Sequence, residues 1–123
     1  MIVRTRSEST VIRQNNWTSE RLLLKKDGMG FSFHITTLAA NSELKLHYKN
    51  HLESVYCIKG EGSIIDIKNS LEYEIKPGTI YALNHNDEHI VKSTTEMELA
   101  CVFNPPCSGD EKHAADGSFP ASI

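Results

Sequence analysis

Short runs of apolar or alternating residues, separated by turn-forming residues, follow one another from residue 21 to residue 104. The runs lie at 21–25, 31–38, 43–48, 54–59, 63–67, 71–75, 79–83, 89–92 and 97–104. Gly, Pro, Asn or Asp occupies most of the gaps between them, as turns require. No longer stretch repeats the i, i+3, i+4, i+7 spacing of an amphipathic helix. The pattern therefore predicts many short strands and little helix.

Period-two alternation is clearest along the last run, 97–104. There Met97, Leu99, Cys101 and Phe103 share one strand face, and Glu96 and Glu98 share the other. Many short antiparallel strands indicate a sandwich or a barrel, and closing the sheet removes edges that would otherwise aggregate. We predict an all-β fold: a single jelly-roll barrel of antiparallel strands, with residues 105–123 as a C-terminal tail that acts as a lid.

Length and composition narrow the class of protein. The 123 residues fit one domain, spanning 1–123, because domains usually have roughly 100–200 residues. With 13 basic and 16 acidic side chains the net charge is −3, which argues against a nucleic-acid partner. No apolar run approaches the length of a membrane helix or a signal peptide. We therefore expect a cytoplasmic protein that does not bind membranes.

The cysteines favour a reducing compartment. Cys57, Cys101 and Cys107 show neither a CxxC motif nor a short Cys/His spacing, which argues against a disulfide framework or a zinc knuckle. Cys57 and Cys101 lie inside apolar runs, where most cysteines are small buried hydrophobic residues.

Ligand-capable side chains concentrate in two blocks, 47–53 and 77–89. On a strand Glu53 would share a face with Val55 and Cys57, so its carboxylate would face the apolar interior. A buried carboxylate needs a neutralising partner, and a divalent metal is one. Among the remaining histidines, we interpret His34, His47 and His85 as ordinary surface groups.

The two blocks resemble the two cupin motifs. In the first motif histidines precede a glutamate separated by six residues from a glycine, here Glu53 and Gly60. The second has Pro77 followed by glycine, and a downstream histidine, His89. Lys49 stands where the usual His-x-His motif has its second histidine, so the common three-His, one-Glu metal site cannot form in the standard way.

Longer stretches resemble one cupin family, the ectoine synthases. They lie at 16–17, 21–24, 27–34, 47–53, 55–58, 77–79, 81–83 and 101–106, within a match running from residue 1 to 117. The chain departs from the family pattern at 4–15, at Ile35, at 39–41 and at the extreme C-terminus. None of these positions is an expected metal ligand. Residues 34–40 would line the pocket, however, so the differences there would affect which substrate fits.

The resemblance implies a site of three parts. The residues expected to bind one iron(II), with zinc or manganese as substitutes, are Glu53, Tyr81 and His89. The substrate-binding positions are Trp17, Arg21, Thr36, Tyr48 and Phe103. The positions expected to transfer protons are His51, Glu111 and His113.

The resemblance also implies an activity. Ectoine synthases are carbon–oxygen hydro-lyases of compatible-solute biosynthesis that close N4-acetyl-L-2,4-diaminobutanoate to ectoine with loss of water, and the family forms homodimers. Two alternatives stay open from the residues alone. One is an iron cupin dioxygenase, although such enzymes normally use two or three histidines. The other is a non-catalytic cupin that binds a small molecule.

Overall fold

The computed structural model describes residues 1–113 and 117–119. In those ranges the chain forms ten strands and two short 3₁₀ turns, at Arg6–Glu8 and Lys25–Asp27. The strands are β1 (Thr10–Gln14), β2 (Trp17–Leu23), β3 (Ser32–Leu38), β4 (Glu43–Leu46), β5 (Leu52–Lys59), β6 (Gly62–Asp66), β7 (Leu71–Ile75), β8 (Ile80–Leu83), β9 (His89–Ser93) and β10 (Met97–Asn104). The predicted all-β character is confirmed.

The strands form two antiparallel sheets. The larger has the order β1-β2-β3-β10-β5-β8, and the smaller has the order β4-β9-β6-β7. Every strand pair in both sheets is antiparallel. Neighbours in space that are distant in sequence, such as β3 and β10, give the crossed connections of a jelly roll.

Alternation along the strands decides which side chains fill the space between the sheets. On β10 Met97, Leu99, Cys101 and Phe103 are buried, as predicted. On β5 Glu53 is buried on the same face as the apolar side chains that follow it at alternate positions. The prediction that the Glu53 carboxyl faces an apolar interior is therefore confirmed.

The sequence pattern missed the start of the larger sheet. Residues 7–16 are mostly polar, yet Thr10–Gln14 forms β1, paired with β2 from Thr10 opposite Arg21 to Gln14 opposite Trp17. β1 is an edge strand whose residues are exposed or half-buried, so it needs no apolar alternation. Two inward residues of β2, Ser19 and Arg21, are polar, which hides the alternation there as well.

The segment after β10 returns to the barrel. The Lys25 N–H donates to the Cys107 carbonyl at 2.8 Å, and the Cys107 N–H donates to Ser32 Oγ at 3.0 Å. Farther on, the Gly117 carbonyl accepts a hydrogen bond from the backbone N–H of His47 at 3.0 Å. These bonds bring chain-terminal residues to the end of the barrel where β4 leads into β5.

Cys57, Cys101 and Cys107 are buried free thiols, in agreement with the sequence analysis. No helix within the described ranges is both long and apolar enough to cross a membrane.

Candidate active site

A cavity between the two sheets collects most of the predicted site residues. Those that line it are Trp17, Thr36, Tyr48, Glu53, Tyr81, Phe103 and His113. Leucine and valine side chains from both sheets supply much of the remaining wall. Arg21, His51 and Glu111 lie in a buried polar cluster next to it, and His51 meets the Phe103 ring edge-on, with the ring centroids 5.8 Å apart. His89 lines a neighbouring cavity that Tyr81 also lines.

The three expected metal ligands come from three strands. Glu53 is on β5 and Tyr81 is on β8, where Tyr81 pairs with Val55 and Leu83 pairs with Glu53. This register makes the Glu53 and Tyr81 side chains diagonal neighbours on one sheet face. His89 begins β9 in the opposite sheet, paired with Leu46.

The chemistry of these three residues fits a bound cation. The Asp87 carbonyl accepts a hydrogen bond from His89 Nδ1 at 2.9 Å, so the lone pair of the neutral ring is on Nε2. That Nε2 is buried and has no hydrogen-bond partner among the described residues. Burial raises the pKa of the Glu53 carboxyl from 4.5 to about 8. A fixed tautomer with a bare buried nitrogen is typical of metal-binding histidines, and a positive charge would favour ionised Glu53.

A second group could also hold a metal ion. Ligand atoms of His51, Cys107 and Glu111 lie within 4.8 Å of one another, and all three residues are buried. The Glu111 carboxylate, however, already accepts bonds from the Ser108 N–H at 2.7 Å and the Gly109 N–H at 2.8 Å. Arg21 Nη1 lies 3.6 Å from Glu111 Oε1, and its positive charge opposes a cation here. We therefore interpret this group mainly as a clamp on the loop that follows β10.

Arg21 provides a buried site for an anion. Its guanidinium donates from Nη1 to the Gly109 carbonyl at 2.9 Å and from Nε to Ser19 Oγ at 3.2 Å. Nη2 is buried, and no described residue accepts a hydrogen bond from it. Burial lowers the pKa of Arg21, but a guanidinium remains charged in proteins. A carboxylate brought to Nη2 would satisfy this donor and offset the buried charge.

His113 and Tyr48 form a hydrogen-bonded pair in the cavity wall. Tyr48 Oη lies 2.6 Å from His113 Nε2. Burial, followed by the electrostatic effects of the basic groups Arg21 and His89, lowers the pKa of His113 from 6.5 to about 4. Burial also raises the pKa of Tyr48 well above 10. At neutral pH the Tyr48 hydroxyl therefore donates to a neutral His113 ring.

The predicted surface position of His34 is wrong. The side chain is only 1% exposed, and it lines the cavity on the same side of β3 as Thr36. Burial lowers the pKa of His34 to about 3. Its position two residues before Thr36 on one strand was a signal that could have placed it there. His85 is exposed and His47 is half-buried.

Three further residues of the site were not predicted. Cys101 shares the inward face of β10 with Phe103, lines the cavity and places its thiol 3.5 Å from the Thr36 hydroxyl. Cys107 joins the buried cluster, where burial raises the pKa of its thiol to about 12. Phe119 lines the cavity from the segment that follows β10. The alternation of β10 could have found Cys101, whereas Cys107 and Phe119 follow no strand period.

A sequence profile of the ectoine synthase family matches residues 1–123. The chain belongs to the ectoine synthase family. It is 56% identical to the L-ectoine synthase of Hyphomonas neptunium over 112 residues, covering 89% of this chain and 83% of that one. It is 51% identical to the L-ectoine synthase of Saccharophagus degradans over 124 residues, covering 98% of this chain and 94% of the relative.

A solved structure agrees with this membership. The crystal structure of an ectoine synthase from P. lautus superimposes with a TM-score of 0.85 at 44% identity, covering 89% of this chain and 81% of that one. The predicted cupin-type barrel is therefore confirmed. The expected residue roles, by contrast, follow only from the resemblance and from the geometry described above.

Proposed function

We propose that this chain is an ectoine synthase that converts N4-acetyl-L-2,4-diaminobutanoate to ectoine and water, as a carbon–oxygen hydro-lyase of compatible-solute biosynthesis. One observation carries the assignment beyond family membership. A single cavity is lined by aromatic rings, by the carboxyl of Glu53 and by the Tyr48–His113 pair, next to the buried guanidinium of Arg21. That combination suits a small, flexible substrate with a carboxylate, an amine and an amide.

Glu53, Tyr81 and His89 are the residues that would hold the metal ion, with iron(II) as the first choice and zinc or manganese as substitutes. Carboxylate oxygen, phenol oxygen and imidazole nitrogen suit these metals. When bound, such an ion supplies a Lewis acid that polarises the acetamide oxygen. The bare, buried Nε2 of His89 and the raised pKa of Glu53 support this assignment.

Arg21 would bind the substrate carboxylate through Nη2, the buried donor without a described partner. Trp17 and Phe103 would hold the chain bent, so that the amine nitrogen lies within about 3 Å of the amide carbon. Thr36 and Tyr48 would contact the substrate from β3 and from the loop before β5. Folding the chain in this way supplies much of the rate enhancement, because the reaction is intramolecular.

Proton transfers complete the reaction. The amine must lose its extra proton before its lone pair forms the new C–N bond. The electron pair of the C=O bond then moves to oxygen, and that oxygen leaves as water after protonation, while a C=N bond forms. His113, His51 and Glu111 are the candidates for these proton transfers.

The deciding experiment measures product and metal together. Iron(II)-loaded protein is incubated with N4-acetyl-L-2,4-diaminobutanoate without oxygen, and ectoine is measured by mass spectrometry. We expect ectoine to accumulate. Its formation should stop when a chelator removes the metal and should resume when iron(II) is added. Turnover only with oxygen would indicate a dioxygenase, and binding without turnover would indicate a non-catalytic cupin. Either result would refute the proposal.

Two further properties belong to the proposal. The first is a cytoplasmic homodimer. β8 is an edge strand with Ile80 65% exposed, and an unpaired apolar edge favours pairing with a second copy. Buried free thiols agree with a reducing compartment. Light scattering after size exclusion should give a mass near twice 13.8 kDa, whereas a monomer at micromolar concentration would contradict the dimer.

The second property is that residues 105–123 act as a lid on the single domain. Residues 114–116 and 120–123 of this segment lie outside the described residues. We expect deletion of residues 108–123 to abolish cyclisation while circular dichroism and metal content stay unchanged, because the barrel strands end before the deletion. Turnover equal to that of the full chain would show that the tail is passive.

A further inference from the structure

Phe119 lies beyond the last strand, yet its ring is among the most enclosed in the site. It is 3% exposed. It stacks on His113 with ring centroids 4.8 Å apart and an interplanar angle of 9°. Its centroid lies 4.9 Å from that of Tyr48 and 5.3 Å from that of Phe103. The Arg21 guanidinium carbon is 5.4 Å from the same centroid.

The backbone around Phe119 is held in place from three directions. Asn50 Nδ2 donates to the Phe119 carbonyl at 2.9 Å. The Gly117 carbonyl accepts from the His47 N–H at 3.0 Å. Gly117 also lies so close to the backbone of residues 45–47 that a Cβ there would be 2.6 Å from the Lys45 carbonyl oxygen. The segment 117–119, which we call the clasp, is therefore seated on the entry to β5.

We propose that Phe119 is a positioning residue of the active site. Its ring holds the His113 ring against the Tyr48 hydroxyl, and the face of the same ring packs against the Arg21 guanidinium. The inference rests on the proposed function and deepens it. Parallel stacking fixes the plane of the His113 ring, and that plane determines where Nε2 points. The flat guanidinium is attracted to the ring face, which restricts how Arg21 turns toward a carboxylate.

Removing the ring should have a specific electrostatic result. His113 faces the Tyr48 hydroxyl, the Trp17 ring and the Phe119 ring, and the basic groups nearby are the Arg21 guanidinium and the His89 ring. Burial is the largest cause of its lowered pKa. Without Phe119, water reaches the imidazole, and the pKa of His113 rises from about 4 toward its ordinary value of 6.5. A ring that only filled space far from His113 would not produce this shift.

The test follows the histidine ring protons by NMR in the zinc-loaded full chain, with the His113 signal assigned by its loss in His113→Gln. We expect no titration of His113 between pH 8 and pH 5.5 in the natural protein, and a midpoint inside that range in Phe119→Ala. Phe119→Leu keeps most of the apolar volume, so it should shift the midpoint less. Phe31→Ala removes the same ring from a half-buried position outside the cavity and should leave the midpoint unchanged.

Kinetics supply the second measurement. Because positioning errors of about 1 Å can cost up to about 100-fold in rate, we expect kcat in Phe119→Ala to fall roughly 10- to 100-fold. The acid limb of its kcat/KM profile should move to higher pH. An unchanged His113 midpoint in both folded Phe119 variants would overturn the inference, as would unchanged kcat. If the natural protein shows no cyclisation, the proposed function fails, while the NMR result still decides whether Phe119 controls His113. If Phe119→Ala does not fold, Phe119→Leu carries both measurements.

Discussion

Gly117 offers a sharp test of whether the clasp is needed, because its substitution affects the clasp without touching the cavity. Its φ of +80° lies in the left-handed region that favours glycine. A Cβ added there would be 2.6 Å from the Lys45 oxygen, 2.7 Å from Leu46 Cα and 3.0 Å from the His47 nitrogen. All three are backbone atoms of β4 or of the residue that follows it, so they cannot move aside as a flexible side chain would.

Gly28 is the matched control. Its φ is +71°, but a Cβ there would have no heavy atom within 4 Å. Alanine therefore costs about 1–2 kcal/mol of backbone strain at either glycine, and only Gly117→Ala adds the steric overlap. The comparison between the two variants isolates the overlap from the strain.

The magnitude follows from how weakly the clasp is held. Burying one phenylalanine contributes about 1.5–3 kcal/mol, and the two clasp hydrogen bonds contribute about 0.5–1.5 kcal/mol each. Ordering three residues costs about 1–2 kcal/mol per residue, so the terms nearly cancel. A further cost of even about 1.4 kcal/mol shifts the docked-to-free ratio tenfold. We therefore expect Gly117→Ala to release the clasp without unfolding the barrel.

Limited trypsin digestion measures the release, because Lys112 is an exposed cleavage site just before the clasp. Loss of the peptide after Lys112, followed by mass spectrometry, should be about tenfold faster or more in Gly117→Ala than in the natural protein. Gly28→Ala should match the natural protein in cleavage rate. Its melting temperature should fall, whereas that of Gly117→Ala should not. Equal cleavage rates in all three proteins would refute the reasoning.

Three other predictions concern single side chains. Glu53→Gln removes the charge of the side chain but keeps its shape, so the metal that stays bound after a chelator wash should fall at least about tenfold. The control Glu72→Gln changes an exposed residue and should keep its metal. Equal metal content in the two variants would rule out Glu53 as a ligand. Tyr48→Phe removes the hydroxyl that lies 2.6 Å from His113 Nε2. Its kcat should fall about tenfold, while its circular dichroism spectrum stays unchanged. A kcat equal to that of the natural protein would show that this hydrogen bond does not contribute to the reaction. The pKa of His34 is lowered to about 3. As pH falls from 6.5 toward 3, the unfolded chain therefore takes up a proton that the folded chain does not, and stability should fall by about 1.4 kcal/mol per pH unit. Denaturant melts at several pH values should show a shallower fall for His34→Leu, and the same slope as the natural protein for the exposed His85→Leu; an unchanged slope in His34→Leu would contradict this.

The local pattern along the chain determined most of the barrel. The predicted run 97–104 is β10, because inward and outward side chains alternate there with period two. The predicted run 71–75 is β7, although Leu71 and Tyr73 are exposed on it. The same rule predicted that the Glu53 carboxyl faces the interior, because Val55 and Cys57 follow it at two-residue intervals on the strand. Where the inward side chains are polar, the rule fails. For that reason the rule missed the first residues of β2. It missed β1 because an edge strand does not have to bury an apolar face.

Only the tertiary structure decided which distant residues meet at the site. A surface position was expected for His34 because a histidine taken alone is most often a surface group, and its burial depends on the cavity that β3 helps to enclose. Cys107 and Phe119 follow the last strand without any period, so nothing local predicts their contacts. Their positions depend on hydrogen bonds to Ser32 and Asn50, far away in the sequence. Period-two alternation is a property of neighbours along the chain, whereas the return of the chain end to the cavity depends on the assembled barrel.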